Sequence, residues 1–221
     1  HRLCNRRCIG VCHDGRSIFI LVMNMYDMVI KNAVIYDGTG SPGYEADLAI
    51  KEDKIAAIGQ IPITYGGPSI DAAGKTVTPG FIDPHTHADL DVLFAPEMIS
   101  YVKQGVTTVV TGNCGYGMAP QGEEVFYTSI PDQRFIKSAE GDFNDPANLF
   151  YERKKAQRAL KEVYNVDLDW YSFAEFNEKC RKLPLGINLA PLVGYSAVRT
   201  AVMGRDCLRE ATSGEVEKLV S

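Results

Sequence analysis

Two short apolar runs separated by a helix-sized segment constrain this chain more than anything else in it. Gly80-Phe81-Ile82-Asp83 is one, and the β-branched run Val106-Thr107-Thr108-Val109-Val110 is the other. Branched side chains favour the pleated backbone, and a continuous run without polar alternation suits a strand covered on both faces. Between them, residues 96–104 place Met98, Ile99 and Val102 at helical spacing, with Gly105 positioned to end the helix. Strand, helix and strand on short links predict a βαβ unit with parallel strands. Ser172 and Glu175 form a capping box that opens a later helix, which stops near Pro184. A third strand is predicted over 187–193, and Ser213-Gly214-Glu215 begins another helix. Strands alternating with helices give an α/β class, a parallel sheet with helices outside.

Upstream the pattern differs. Residues 25–78 read as a small β-sheet unit, with strands around Met28-Val29-Ile30, Ala33-Val34-Ile35, 46–50, 54–59, 69–72 and 76–78. Asp37-Gly38-Thr39-Gly40-Ser41-Pro42-Gly43 is a turn of residues that tolerate or preset unusual φ. Pro79-Gly80 marks the change to the α/β part, 79–221. Within it, 116–168 reads as an insertion over one end of the sheet, with a helix possible over 147–163.

With 23 Lys and Arg against 28 Asp and Glu, the net charge is −5, which argues against nucleic acid as a partner. No apolar run reaches the roughly 18 residues of a membrane span. Residues 1–24 stand apart: they hold Cys4, Cys8, Cys12, His1 and His13, and four arginines to one aspartate. The segment mimics a signal peptide without a cleavage site, or a metal string without paired zinc spacings. The expectation is a leader that is not native structure or is disordered, with the true start at Met23, Met25 or Met28. Cys114, Cys180 and Cys207 show no pairing pattern, so a reducing, cytoplasmic compartment is expected.

His85 and His87 are the only histidines after residue 24. At positions i and i+2 on a strand end they aim to one side, and neutral imidazole is a good ligand for a divalent metal. Asp83 shares that face and could orient a ligand, and Asp89 could reach the same area. Cys114, at the end of the next strand, reads from residue type alone as a buried structural cysteine.

The phrase Val77-Thr78-Pro79-Gly80-Phe81-Ile82-Asp83-Pro84-His85-Thr86-His87 resembles the opening of the metal-dependent amidohydrolase superfamily. There a small β-sandwich precedes a (β/α)8 barrel whose first strand delivers two metal-binding histidines. Gly105-Val106-Thr107-Thr108-Val109-Val110-Thr111-Gly112-Asn113-Cys114-Gly115 resembles the second barrel strand of the N-acyl-D-amino-acid deacylases, in which the matching cysteine is a zinc ligand. Leu189-Ala190-Pro191-Leu192-Val193-Gly194-Tyr195-Ser196-Ala197-Val198-Arg199 resembles that family's third strand, although relatives typically carry histidine where Tyr195 stands. Tyr195 could hydrogen-bond substrate, and Arg199 could meet a substrate carboxylate, if it is not a helix-surface salt bridge.

The resemblance implies zinc, one ion or two, held by His85, His87 and Cys114, and hydrolysis of the amide of an N-acyl-D-amino acid. It also implies two further histidines and a general-base aspartate from later strands. A closed barrel takes about 250 residues and about 140 follow Pro79, so a fragment is expected, lacking the C-terminal barrel half and inactive alone, with the general base beyond Ser221. Alternatives are a cyclic-amide hydrolase of the dihydroorotase or hydantoinase type, or a non-catalytic half-barrel that needs a complementary chain.

Overall fold

The computed structural model describes residues 6–13, 16–23, 26–62, 67–126 and 150–220, which fall into two units, His1–Pro79 and Gly80–Ser221. In the first unit, β1 (Arg6–His13) and β2 (Arg16–Met23) pair antiparallel, with His13 opposite Arg16. A leader that is non-native or disordered was expected over 1–24, and its described residues form these two paired strands. The physical signal is Asp14-Gly15 between two runs containing isoleucine and valine, a strong short-range hairpin pattern.

A five-stranded sheet follows, built from β3 (Met28–Ile35), β4 (Tyr44–Lys51), β5 (Lys54–Gly59), β6 (Ser69–Asp71) and β7 (Thr76–Val77). The order is β5-β4-β3-β6, with β7 also on β3; the first two pairings are antiparallel and those to β6 and β7 parallel. The two apolar triplets of β3 form one strand whose register shifts between Ile30 and Ala33. Asn32 takes the left-handed backbone there (φ 58°), and its N–H and side-chain amide donate to Asp47 and Asp71 at 2.9 Å each. Asn is among the few residues that adopt this conformation readily. Ala33, Ile35, Leu48 and Ala72 form one apolar cluster of the unit, and Val29, Ala49 and Ile61 another.

The second unit holds β8 (Phe81–Asp83), β9 (Val106–Thr111), β10 (Glu124–Phe126), β11 (Phe150–Glu152) and β12 (Asn188–Pro191). The α/β class and the parallel sheet are as the pattern predicts: β12-β9-β8, parallel throughout, with the β-branched run in the middle. Val109 is fully buried. The capping box also forms, with Ser172 Oγ accepting from Glu175 N at 3.2 Å ahead of the helix Phe173–Arg181. A last helix runs Ser213–Val220. Among the described residues no helix is long and apolar enough to cross a membrane.

One expectation needs correction. The helix over 96–104 is a single turn, Ile99–Val102. Met98 precedes it in the left-handed region (φ 48°) and is buried, while Ile99 and Val102 are exposed, so the apolar positions do not share one helical face. The stretch 116–168, expected as an insertion, contributes to the core through its described residues. Its described parts, residues 116–126 and 150–168, include Met118, Val125, Tyr151, Ala159, Leu160 and Leu168, all in the main core with Trp170 and Phe176. The expected helix is observed over Arg153–Tyr164, after the strand β11, which pairs antiparallel with β10. The first part of that expectation, 147–149, lies outside the described residues.

One side chain ties this core together. Arg153 is only 5% exposed, and its guanidinium donates to the carbonyls of Trp170 (2.7 Å), Leu168 (3.1 Å) and Gly122 (3.4 Å) while covering the Tyr171 ring at 3.7 Å. Trp170 Nε1 donates to Met118 O at 2.6 Å. A planar fork reaches several acceptors that an ammonium cannot. Arg153→Lys is therefore expected to lower unfolding free energy by about 1–3 kcal/mol, as buried carbonyls lose their donors; urea unfolding checks it. Cys180, on the helix Phe173–Arg181, is buried, and that burial pushes its thiol from an ordinary 9.0 to about 11. The folded state thus favours the neutral thiol. Its contribution to stability is complete below about pH 9 and is lost as pH rises towards about 11. Cys180→Ala should flatten the alkaline limb of a stability-versus-pH profile.

Candidate metal centre

The site forms where β8 and β9 end. β8 stops at Asp83, so His85 and His87 lie just past the strand and not on it. Their common direction survives because Thr86 continues the ladder. Its N–H and its Oγ1 each reach Val110 O at 3.0 Å, and Thr86 is buried while both histidines are exposed. The two imidazole rings stand edge to face, with centroids 5.7 Å apart. Asp83 Oδ1 accepts the His85 N–H at 3.2 Å, so the carboxylate shapes the turn that presents this histidine.

From β9 the chain enters a short 3-10 turn, Asn113–Gly115. Gly112 (φ 75°), Cys114 (φ 57°) and Gly115 (φ 81°) all take the left-handed region. Glycine does so freely; cysteine does so at a cost of order 1 kcal/mol or more. The result points the exposed thiol at the histidines: Cys114 Sγ lies 3.1 Å from His85 Nε2. A ligand atom from each of His85, His87 and Cys114 falls within 4.8 Å of the others. Two donors on one tetrahedral zinc are separated by about 3.3–3.6 Å, which these spacings bracket. Two neutral nitrogens and a thiol are also a donor set zinc accepts.

Asp89 is buried behind this cluster, 7% exposed. Burial raises its pKa, and Thr111, Gly112 and the charge of His87 only partly offset this. Burial likewise raises Tyr101, helped by the carboxylates of Asp91, Asp83 and Asp89. The Tyr116 ring sits 6.0 Å from that of His87.

The loop after β12 packs directly on the cysteine turn. A side chain at Gly112 would run into Leu192 O, and one at Gly194 into the carbonyls of Gly115 and Tyr116. The third segment singled out in the sequence is thereby adjacent to the second. Tyr195 opens the helix Tyr195–Met203 and is exposed. Arg199, expected to face a substrate carboxylate or to form a surface salt bridge, is used otherwise. It donates to Cys207 O (2.7 Å), Tyr195 Oη (3.2 Å) and Arg209 O, a strut that closes the helix end. Both arms of its fork donate to oxygens of the chain itself.

Sequence reasoning passed over Thr86 and Asn113. Asn113 Nδ2 donates to Val110 O at 2.9 Å and Thr86 O at 3.3 Å. An Asn following Gly at a strand end was the available signal, since that pair suits a left-handed turn with side-chain bonding to the backbone. Alkylation of the folded protein should modify Cys114 well before the buried Cys180 and Cys207. Peptide mapping after brief iodoacetamide treatment would detect the reverse order.

Comparison with known proteins gives a consistent result. Residues 69–168 match the amidohydrolase family. Over 192 residues the chain is 38% identical to the N-acyl-D-aspartate deacylase of Alcaligenes xylosoxydans xylosoxydans, covering 86% of this chain and 32% of that protein. A crystal structure of D-aminoacylase superposes with a TM-score of 0.64 at 34% identity, covering 87% of this chain and 34% of that one. The N-acyl-D-glutamate deacylase of Bordetella bronchiseptica, solved with zinc and a phosphonate inhibitor, gives a TM-score of 0.64 at 31% identity over 88% and 34%. The chain spans about a third of the length of these relatives.

Proposed function

We propose that this chain, which is similar to the amidohydrolase family and to relatives of the D-aminoacylase kind, carries the metal-binding portion of an enzyme hydrolysing the amide of N-acyl-D-amino acids. The observation that carries the proposal is the convergence of His85, His87 and Cys114 at the ends of two adjacent parallel strands. In parallel α/β barrels the C-terminal strand ends are where catalytic groups sit.

His85 and His87 would hold zinc through neutral imidazole nitrogens, and Cys114 through its thiolate. Bound zinc supplies Lewis acidity, polarising the scissile carbonyl and acidifying water. Asp83 holds the His85 backbone through its hydrogen bond, which keeps that ring in place during turnover. Asp89 is buried and close enough to His87 for their charges to interact. Tyr195 is the exposed hydroxyl available to substrate next to the cysteine turn. A small N-acyl-D-amino acid is the expected substrate.

The test has two arms. Zinc is titrated into the 221-residue chain and into His87→Ala, with bound metal measured after dialysis. One tight equivalent in the parent is expected, and at least a tenfold weaker one in the variant. In the second arm the chain is co-expressed with the remaining two thirds of the N-acyl-D-aspartate deacylase relative, and free D-amino acid is measured from N-acyl-D-aspartate. Release that His87→Ala abolishes supports the reading. No release, with metal bound, would leave a metal-binding portion and remove the proposed reaction.

A further inference from the structure

The thiol at position 114 sits on a short turn whose own backbone supplies one hydrogen bond, from Tyr116 N–H to Asn113 O at 3.0 Å. Gly112 and Gly115 flank Asn113 and Cys114, and glycine resists φ/ψ change less than any other residue. The strained Cys114 backbone adds a tendency to leave this conformation. Something outside the turn must fix the distance from Sγ to the histidines. Asn113 does this. Its Nδ2 donates to Val110 O, on β9, and to Thr86 O, the carbonyl between His85 and His87. One amide group therefore bridges the cysteine turn and the histidine segment. Both partners are carbonyls, so only the NH2 end of the amide can face them, and the orientation is fixed by chemistry. The same Val110 carbonyl also takes the Thr86 N–H and Oγ1. The histidine segment and the cysteine turn are thus registered on a single oxygen.

We infer that Asn113 is a positioning residue that sets the sulfur-to-imidazole spacing, so that its side-chain NH2 controls whether the thiolate joins the two histidines on one metal. The inference rests on the metal reading proposed above. Asn113 touches neither substrate nor metal; it acts through the Thr86 carbonyl and through the backbone of its neighbour Cys114. Removing the NH2 should loosen the turn and let the sulfur drift, while His85 and His87 remain held by Thr86. The effect should fall on the thiolate ligand selectively.

Cobalt(II) reports this, because a thiolate ligand adds a sulfur-to-metal charge-transfer band that imidazole ligands do not. Cobalt is titrated into the parent chain, Asn113→Asp, Asn113→Ala and Cys114→Ala, with circular dichroism and thermal unfolding on each. Asn113→Asp keeps the shape but sets a carboxylate against two carbonyls; Asn113→Ala removes the donor without adding repulsion and decides the matter if the first variant unfolds. The expected result is a charge-transfer band in the parent, lost or strongly weakened in both Asn113 variants as in Cys114→Ala. Affinity should fall about 10–100-fold. Retention of the parent band and affinity in Asn113→Ala would overturn this inference alone. A parent chain that binds cobalt without a thiolate band would overturn the three-ligand centre, and this inference with it.

Discussion

The arrangement depends on the Val110 carbonyl and on the strand that carries it. β9 is the member of the three-stranded parallel sheet paired on both edges, so whatever leaves its C-terminal end is positioned against two neighbours at once. The Val110 oxygen accepts the Thr86 N–H and hydroxyl from one side and the Asn113 amide from its own turn. That concentration of donors brings two loops with no regular hydrogen-bonding pattern into register. It also explains why the alternation of exposed histidines around a buried threonine continues past the last residue of β8.

A second constraint comes from the opposite side of β9. Gly112 and Gly194 let the turn after β9 and the loop after β12 approach backbone to backbone, where any side chain would meet a carbonyl oxygen. Behind the sheet, Arg153 and Trp170 gather the chain around 118, 122 and 168–170 through backbone carbonyls. A buried cation bound to carbonyls is oriented by geometry more than by opposite charge. Phe81 and Ile82 of β8, and Leu192 and Val193 after β12, are exposed apolar residues at the two edge strands of this sheet.

Much of the architecture was legible because it follows from periodicity and caps. The β-branched run, the Ser172 capping box and the alternating strands of the first unit all read directly from residue type. What failed were features decided by tertiary contact. Met98 leaves helical geometry to bury its side chain, which no 3.6-residue count reveals. The described apolar residues of 116–126 and 150–168 are interleaved with charges, so periodicity alone did not display their place in the core. Of the candidate site, the two histidines and the cysteine stood out by residue type. The bonds that aim them, from Thr86 and Asn113, run through main-chain carbonyls, and a sequence does not display its carbonyls.

The left-handed backbone of Cys114 has a consequence beyond ligand geometry. Glycine would sit there without strain, so folding stability and thiol chemistry pull this position in opposite directions. Drift towards glycine would relax the turn, preserve the sheet and silently remove the sulfur. A copy of this gene released from any demand for a thiol would therefore be under thermodynamic pressure to lose it first. The residue at this one position distinguishes a protein kept for its chemistry from one kept only for its shape.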